Sequence, residues 1–247
     1  VFQKDLFKGK RILVTGGGTG LGREMAEKFL ELGADVFICG RRAAPLEKTA
    51  AELAAKHGGS MKTRTVDIRD AAAVDAMMQS IWDDGGPLTG LVNNAAGNFI
   101  SRTEDLSSRG FDAIANTVLH GTFYATHAAG KRWIAGGHKG SVISIVVTWV
   151  WTGSPFVVPS AMSKAGVHVM TQSLAVEWGR YGIRLNAIAP GIFPTEGAGK
   201  RLAPGRDPGK DNAAINPMQR SGRMSELQNL AAFLMADGCE WLTGQTI

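Results

Sequence analysis

Apolar positions along the chain alternate between two periodicities. Short runs, RILVTG (11–16), DVFIC (35–39), KTRTVDI (62–68), LTGLVNN (88–94), SVISIVV (141–147) and IRLNAIA (183–189), read as strands. Between them lie longer stretches with apolar residues three and four apart. GREMAEKFLELG (22–33) places Met25, Phe29 and Leu32 on one face, and LEKTAAELAAKHG (46–58) ends on glycine as a helix should. AAVDAMMQSIW (72–82), a long stretch from about Arg109 to Trp133 and another from about Ser160 to Trp178 complete the helical pattern. Short strands alternating with helices of this length predict an α/β fold. The expectation is a Rossmann-type, doubly wound parallel sheet of about seven strands with helices on both faces. TGQTI (243–247) reads as the start of the seventh strand.

No linker or repeat divides the sequence, so residues 1–247 are expected to form one domain. One stretch breaks the rhythm. PTEGAGKRLAPGRDPGKDNAAINP (194–217) holds Pro194, Pro204, Pro208 and Pro217 with four glycines. An irregular segment of that length is expected to be a lid over a substrate site.

Hydrophobic residues at 44% and charged residues at 20% describe a chain with a substantial core. No apolar run approaches the roughly 20 residues that cross a bilayer. The first residues, VFQKDLFKGKR, lack the apolar stretch of a signal peptide, and a cytoplasmic location is the expectation. Cys39 and Cys239 form no CxxC pattern and the five histidines no ligand cluster, so neither a disulfide framework nor a metal site is expected. The net charge of +5 suits an anionic partner. The basic residues occur in short groups rather than along one helix, which argues against nucleic acid and favours a phosphorylated small molecule.

TGGGTGLG (15–22) directly follows the first strand and opens the first helix. Glycines there let the backbone approach a diphosphate, while the helix N-terminus offers free N–H groups to it. Gly16, Gly18, Thr19, Gly20, Leu21 and Gly22 are therefore candidate cofactor residues. A carboxylate after the second strand would hold the ribose 2′-hydroxyl of NAD(H). CGRR (39–42) instead offers Arg41 and Arg42, which suit a 2′-phosphate and so NADP(H).

TGGGTGLG, NNAAG (93–97), a Ser–Lys pair four apart on a helix and PG (190–191) occur in the order seen in short-chain dehydrogenases/reductases. NNAAGNFIS (93–101), FVVPSAMSKAGV (156–167), SLAVEWGRYGIRLN (173–186) and NLAAFL (229–234) sharpen the likeness, and the whole chain resembles the NADPH-dependent 2,4-dienoyl-CoA reductases. The resemblance implies an acyl-CoA substrate and a homotetramer. It further implies that Asp67 borders the adenine, that Asn94, Ala95, Pro190, Gly191, Ile192 and Phe193 contact the cofactor, and that Lys164 bonds the nicotinamide ribose. Asn98 would bond the thioester oxygen, with Arg69, Phe99, Ser107 and Arg201 lining the acyl-CoA site.

The family replaces the tyrosine of the usual Tyr-x-x-x-Lys by serine, which matches Ser160. Its working tyrosine lies eleven residues upstream of that serine, and here the position is Trp149. Simple carbonyl reduction needs a general acid for the alkoxide, and serine is a poor one. Val118 and Val147 also stand where the wider superfamily has polar groups. Reduction of a conjugated thioester needs donors to a dienolate oxygen, which Asn98 and Ser160 can supply. An indole N–H donates a hydrogen bond but does not titrate near neutral pH. The expected catalytic set is Asn98, Trp149, Ser160 and Lys164. The same residues leave open reduction of another enoyl or 3-ketoacyl thioester, or a cofactor-binding homologue whose catalysis Trp149 impairs.

Overall fold

The computed structural model describes residues 2–195 and 216–247. Six parallel strands form one sheet in the order β3-β2-β1-β4-β5-β6. They are β1 (Arg11–Thr15), β2 (Asp35–Gly40), β3 (Met61–Thr65), β4 (Gly90–Asn93), β5 (Gly140–Ile145) and β6 (Ile183–Ile188). The described helices are α1 (Gly20–Glu31), α2 (Ala43–His57), α3 (Ala71–Asp83), α4 (Ser108–Ala115), α5 (Gly121–Gly136), a single turn α6 (Trp149–Thr152), α7 (Val158–Trp178) and α8 (Met224–Met235). This is the Rossmann type of α/β fold.

Strands β1, β4 and β5 are buried throughout, which explains why they read as apolar runs, whereas the edge strand β3 is only partly buried and carries Lys62 and Arg64. Along β1, Ile12 and Val14 join a core formed with α1, α2 and α8, while Leu13 joins a second core formed with α3, α5 and α7. Trp133, fully buried in the second core, donates its indole N–H to the Leu88 carbonyl at 2.7 Å.

The expected seventh strand is a correction. The segment after Thr243 runs beside β6 but forms a single parallel bridge, Ala187 with Thr246, supported by Ala187 N–H to the Gln245 carbonyl at 2.7 Å. The long helical stretch expected from about Arg109 to Trp133 is helical throughout, with a π-helical turn at Asn116–His120 between α4 and α5 that carries the fully buried Val118. Most of the proposed lid, with Arg201, lies outside the described residues. Among the described residues no helix is long and apolar enough to cross a membrane.

In a sheet of this order, connections diverge between β1 and β4 and open a crevice at the carboxyl ends of the strands. Every described site residue inferred from the sequence follows one of those strand ends or lies on a helix reached from one.

Candidate functional site

The turn after β1 is stitched to the turn after β4. Thr15 Oγ1 accepts the N–H groups of Asn94 and Ala95, each at 3.0 Å, and donates to the Val92 carbonyl at 3.3 Å. The Asn94 amide donates to the carbonyls of Thr15 at 3.0 Å and Gly16 at 3.3 Å. Gly16 has φ +67°, and a Cβ on Gly22 would lie 2.4 Å from Asn94 Nδ2 and 2.5 Å from the Gly16 oxygen. The space is filled by the turn itself, so side chains are excluded on two counts. Asn94 and Ala95 thus shape the glycine cradle after β1 through this lattice.

At the mouth of the cradle, Thr19 caps α1 in an extended conformation without a side-chain bond to the helix, and the first turn holds no acidic residue. The N-terminal N–H groups of α1 and its positive dipole end are left for an anion. Gly18, Gly20 and Leu21 occupy the same turn and first helical positions. Arg41 and Arg42 follow β2, both exposed, and among the described residues neither has a carboxylate within ion-pair distance. A free cationic pair beside an uncompensated helix end fits the phosphates of a dinucleotide.

Asp67 follows β3 and is held by Arg69, whose Nε lies 2.9 Å from Asp67 Oδ1. The Arg69 hydrogen bonds, followed by the charges of Arg69 and Arg41, hold the carboxyl below the ordinary aspartate range. The sequence assigned these two residues to different ligands; the structure brings them together at the same strand end. Ser107 caps α4, its Oγ accepting the Gly110 N–H at 3.1 Å, and the Phe99 ring lies over Gly110. Ser107 therefore has a local structural role, which its serine-before-helix pattern could have announced.

Asn98 Oδ1 accepts the Phe99 N–H at 2.9 Å. An amide nitrogen cannot accept, so this bond fixes the side-chain orientation and leaves Nδ2 as a donor. Loop 94–101 is tied in turn to the segment before α7 by Ser101 N–H to the Phe156 carbonyl at 3.0 Å. Ser160 and Lys164, one turn apart on α7, are both buried. Lys164 Nζ donates to the Ile145 carbonyl at the end of β5, and burial pushes its pKa down to about 8.

Trp149 opens α6, whose turn closes with Gly153 N–H to the Trp149 carbonyl at 2.9 Å. The turn is anchored by Val150, packed with Val146 and Val167, and by an edge contact between Trp151 and His168 with centroids 5.9 Å apart. Neither tyrosine takes the place of the missing one. Tyr124 lies on α5 against the second core and 6.2 Å from the His120 ring, and Tyr181 follows α7 under the guanidinium of Arg180. On the far side, Pro190, Gly191, Ile192 and Phe193 leave β6, and the Ile192 carbonyl accepts the Gly222 N–H at 2.9 Å. Thr15, Ile145 and Phe156 take part in this construction without having been singled out from the sequence. Only Thr15, a polar residue ending an apolar strand before glycines, carried a visible signal.

A family model described as short chain dehydrogenase matches residues 10–204. A probable 2,4-dienoyl-CoA reductase, (3E)-enoyl-CoA-producing, of Caenorhabditis elegans is 44% identical over 250 residues, covering 100% of this chain and 81% of the relative. A probable 2,4-dienoyl-CoA reductase, (2E)-enoyl-CoA-producing, of Bacillus subtilis is 38% identical over 239 residues, covering 96% of this chain and 94% of the relative. Among solved structures, a substituted variant of actinorhodin polyketide ketoreductase with NADPH superposes with a TM-score of 0.90 at 27% identity, covering 100% of this chain and 97% of that one.

Proposed function

The chain belongs to the short-chain dehydrogenase family, and from that premise we propose that it reduces a carbon–carbon double bond of a 2,4-dienoyl-CoA or similar unsaturated acyl-CoA thioester with NADPH. The observation that supports this reading is the Asn98 amide, oriented by the Phe99 N–H, on a loop fastened through Ser101 and Phe156 to the helix that carries the buried Ser160 and Lys164, with Trp149 at the position of the family tyrosine. Such a set stabilises a developing oxyanion but supplies no phenolic proton to an alkoxide.

NADPH, when bound, would supply the hydride needed at the far end of the conjugated system. Asn98 Nδ2 and the Ser160 hydroxyl donate to the thioester oxygen as the dienolate charge develops there. Lys164 would hold the nicotinamide ribose, and Arg41 and Arg42 would hold the 2′-phosphate. The dienolate then takes its proton at carbon from water. The one-domain enzyme is assigned a cytoplasmic location and a homotetrameric assembly, the latter by family resemblance.

Mass spectrometry of the products tests the reading. With NADPH, a dienoyl-CoA is expected to gain two hydrogens and keep its thioester carbonyl. Conversion of a 3-ketoacyl-CoA to the hydroxy ester, with the dienoyl ester left intact, would replace this function by carbonyl reduction.

A further inference from the structure

Phe156 combines two features that are each unfavourable. Its backbone has φ +65°, in the left-handed region that a bulky aromatic residue seldom occupies. Its side chain is also 51% exposed, so packing within the chain does not compensate for that conformation. A glycine would take the same turn without strain and without presenting a ring to water. The other non-glycine residues at positive φ among those described, Asp5 and Gln219, are polar residues in surface turns.

The position of Phe156 in the fold accounts for both features. Its carbonyl accepts the Ser101 N–H at 3.0 Å and so fastens loop 94–101, which carries Asn98, to the segment entering α7. Four residues later, in the first turn of α7, comes Ser160. Phe156 thereby joins the loop that carries Asn98 to the helix that carries Ser160. Phe99 and Ile100, on the fastened loop, are 37% and 51% exposed. Strain held at such a juncture, with an aromatic ring turned partly to solvent, is characteristic of a ligand contact.

We infer that Phe156 is a substrate-positioning residue whose ring, with Phe99 and Ile100, forms an apolar wall for the hydrocarbon chain of the acyl thioester. Its occupant is the segment of acyl chain beyond the reacting carbons, and its consequence is a preference for longer chains. The inference rests on the thioester reading of the site, yet it concerns binding rather than reduction.

The test uses the full chain with bound NADP+ and two saturated, unreactive esters, butanoyl-CoA and decanoyl-CoA, titrated by calorimetry. Wild type is expected to bind decanoyl-CoA more tightly. Phe156→Gly is expected to keep or raise the melting temperature, because the left-handed turn suits glycine. It should weaken decanoyl-CoA about tenfold, the effect of removing roughly half a buried phenyl ring, and leave butanoyl-CoA within about twofold. Phe156→Asn, which also tolerates positive φ, should give the same pattern and serves if the glycine variant folds poorly.

Equal affinity of the two esters in wild type would overturn the inference. So would an equal loss for both in the variants, which would mean that Phe156 acts only through the loop. A variant that changes the oligomeric state but not decanoyl-CoA binding would instead assign the ring to a contact between copies of the chain. Chain-length-dependent binding without turnover of any dienoyl ester would leave this inference standing and remove the proposed reaction.

Discussion

The ammonium group of Lys164 donates to the carbonyl oxygen of Ile145, tying the helix that carries Ser160 to the strand that leads into Trp149. Burial lowers the Lys164 pKa from 10.5 to about 8. Between those values the unfolded chain holds more protons than the folded one, so this residue's contribution to stability increases as pH rises through that window. At neutral pH both states are protonated and the desolvation cost is fully present. In urea unfolding of the cofactor-free protein, Lys164→Met is expected to be stabilising relative to wild type near pH 7. Its advantage should shrink by up to about 3 kcal/mol on going to about pH 10. A pH-independent difference would mean that the ammonium is not desolvated in the folded state.

The lattice around Asn94 predicts how the cofactor cradle fails. Gly22→Ala forces a methyl group into the Asn94 amide and the Gly16 carbonyl. A loss of about 1–3 kcal/mol in stability is expected, with NADPH affinity falling more than about tenfold. Gly179→Ala, at negative φ with nothing within 4 Å of the added methyl, should change neither. Thermal melts with and without NADPH compare the two.

Arg41 and Arg42 carry the cofactor preference in this account. A charge-assisted bond to a 2′-phosphate contributes about 1.5–3 kcal/mol, so Arg41→Ala or Arg42→Ala should raise the NADPH dissociation constant roughly tenfold to a hundredfold. NADH binding should change little. Fluorescence titration of both nucleotides decides the point, and parallel losses for the two would assign the arginines to something other than the 2′-phosphate.

Asn98 and Trp149 divide the chemistry. Asn98→Ala removes the fixed amide donor and is expected to lower kcat on a dienoyl-CoA by about a hundredfold to a thousandfold, the effect of losing one oxyanion donor. Its NADPH affinity should be preserved. Trp149→Tyr restores a phenol and is expected to raise turnover. An Asn98→Ala enzyme with unchanged kcat/KM would remove Asn98 from the oxyanion site.

Much of this architecture was legible because the relevant signals are local. The strand-and-helix rhythm follows from periodicity, and the glycine turn could be read because a strand precedes it and a helix follows. The features that were not legible depend on tertiary placement. Nothing in ANTVLHG marks the π-type turn that buries Val118 between α4 and α5, since it contains no proline and its glycine begins the next helix. Arg69 was assigned to the substrate site by the family resemblance, and its bond to Asp67 had no signal in the sequence because it depends on how the chain bends after β3. Residues 243–247 have strand character and bond along the outer side of β6 at Leu185, Ala187 and Ala189, yet the segment is so short that it closes a single bridge, Ala187 with Thr246. The left-handed backbone of Phe156 has no local signature, because the residue type argues against it.

The most direct test of the central claim is a single-turnover measurement of NADPH oxidation with the purified protein in excess. A 2,4-dienoyl-CoA and a 3-ketoacyl-CoA of equal length are compared, each after NADPH binding has been demonstrated. Oxidation with the dienoyl ester and not with the ketoacyl ester is the predicted result, and it would establish that an oxyanion site with Trp149 in place of tyrosine supports dienolate formation. Oxidation with the ketoacyl ester alone, or with neither despite bound NADPH, would contradict it.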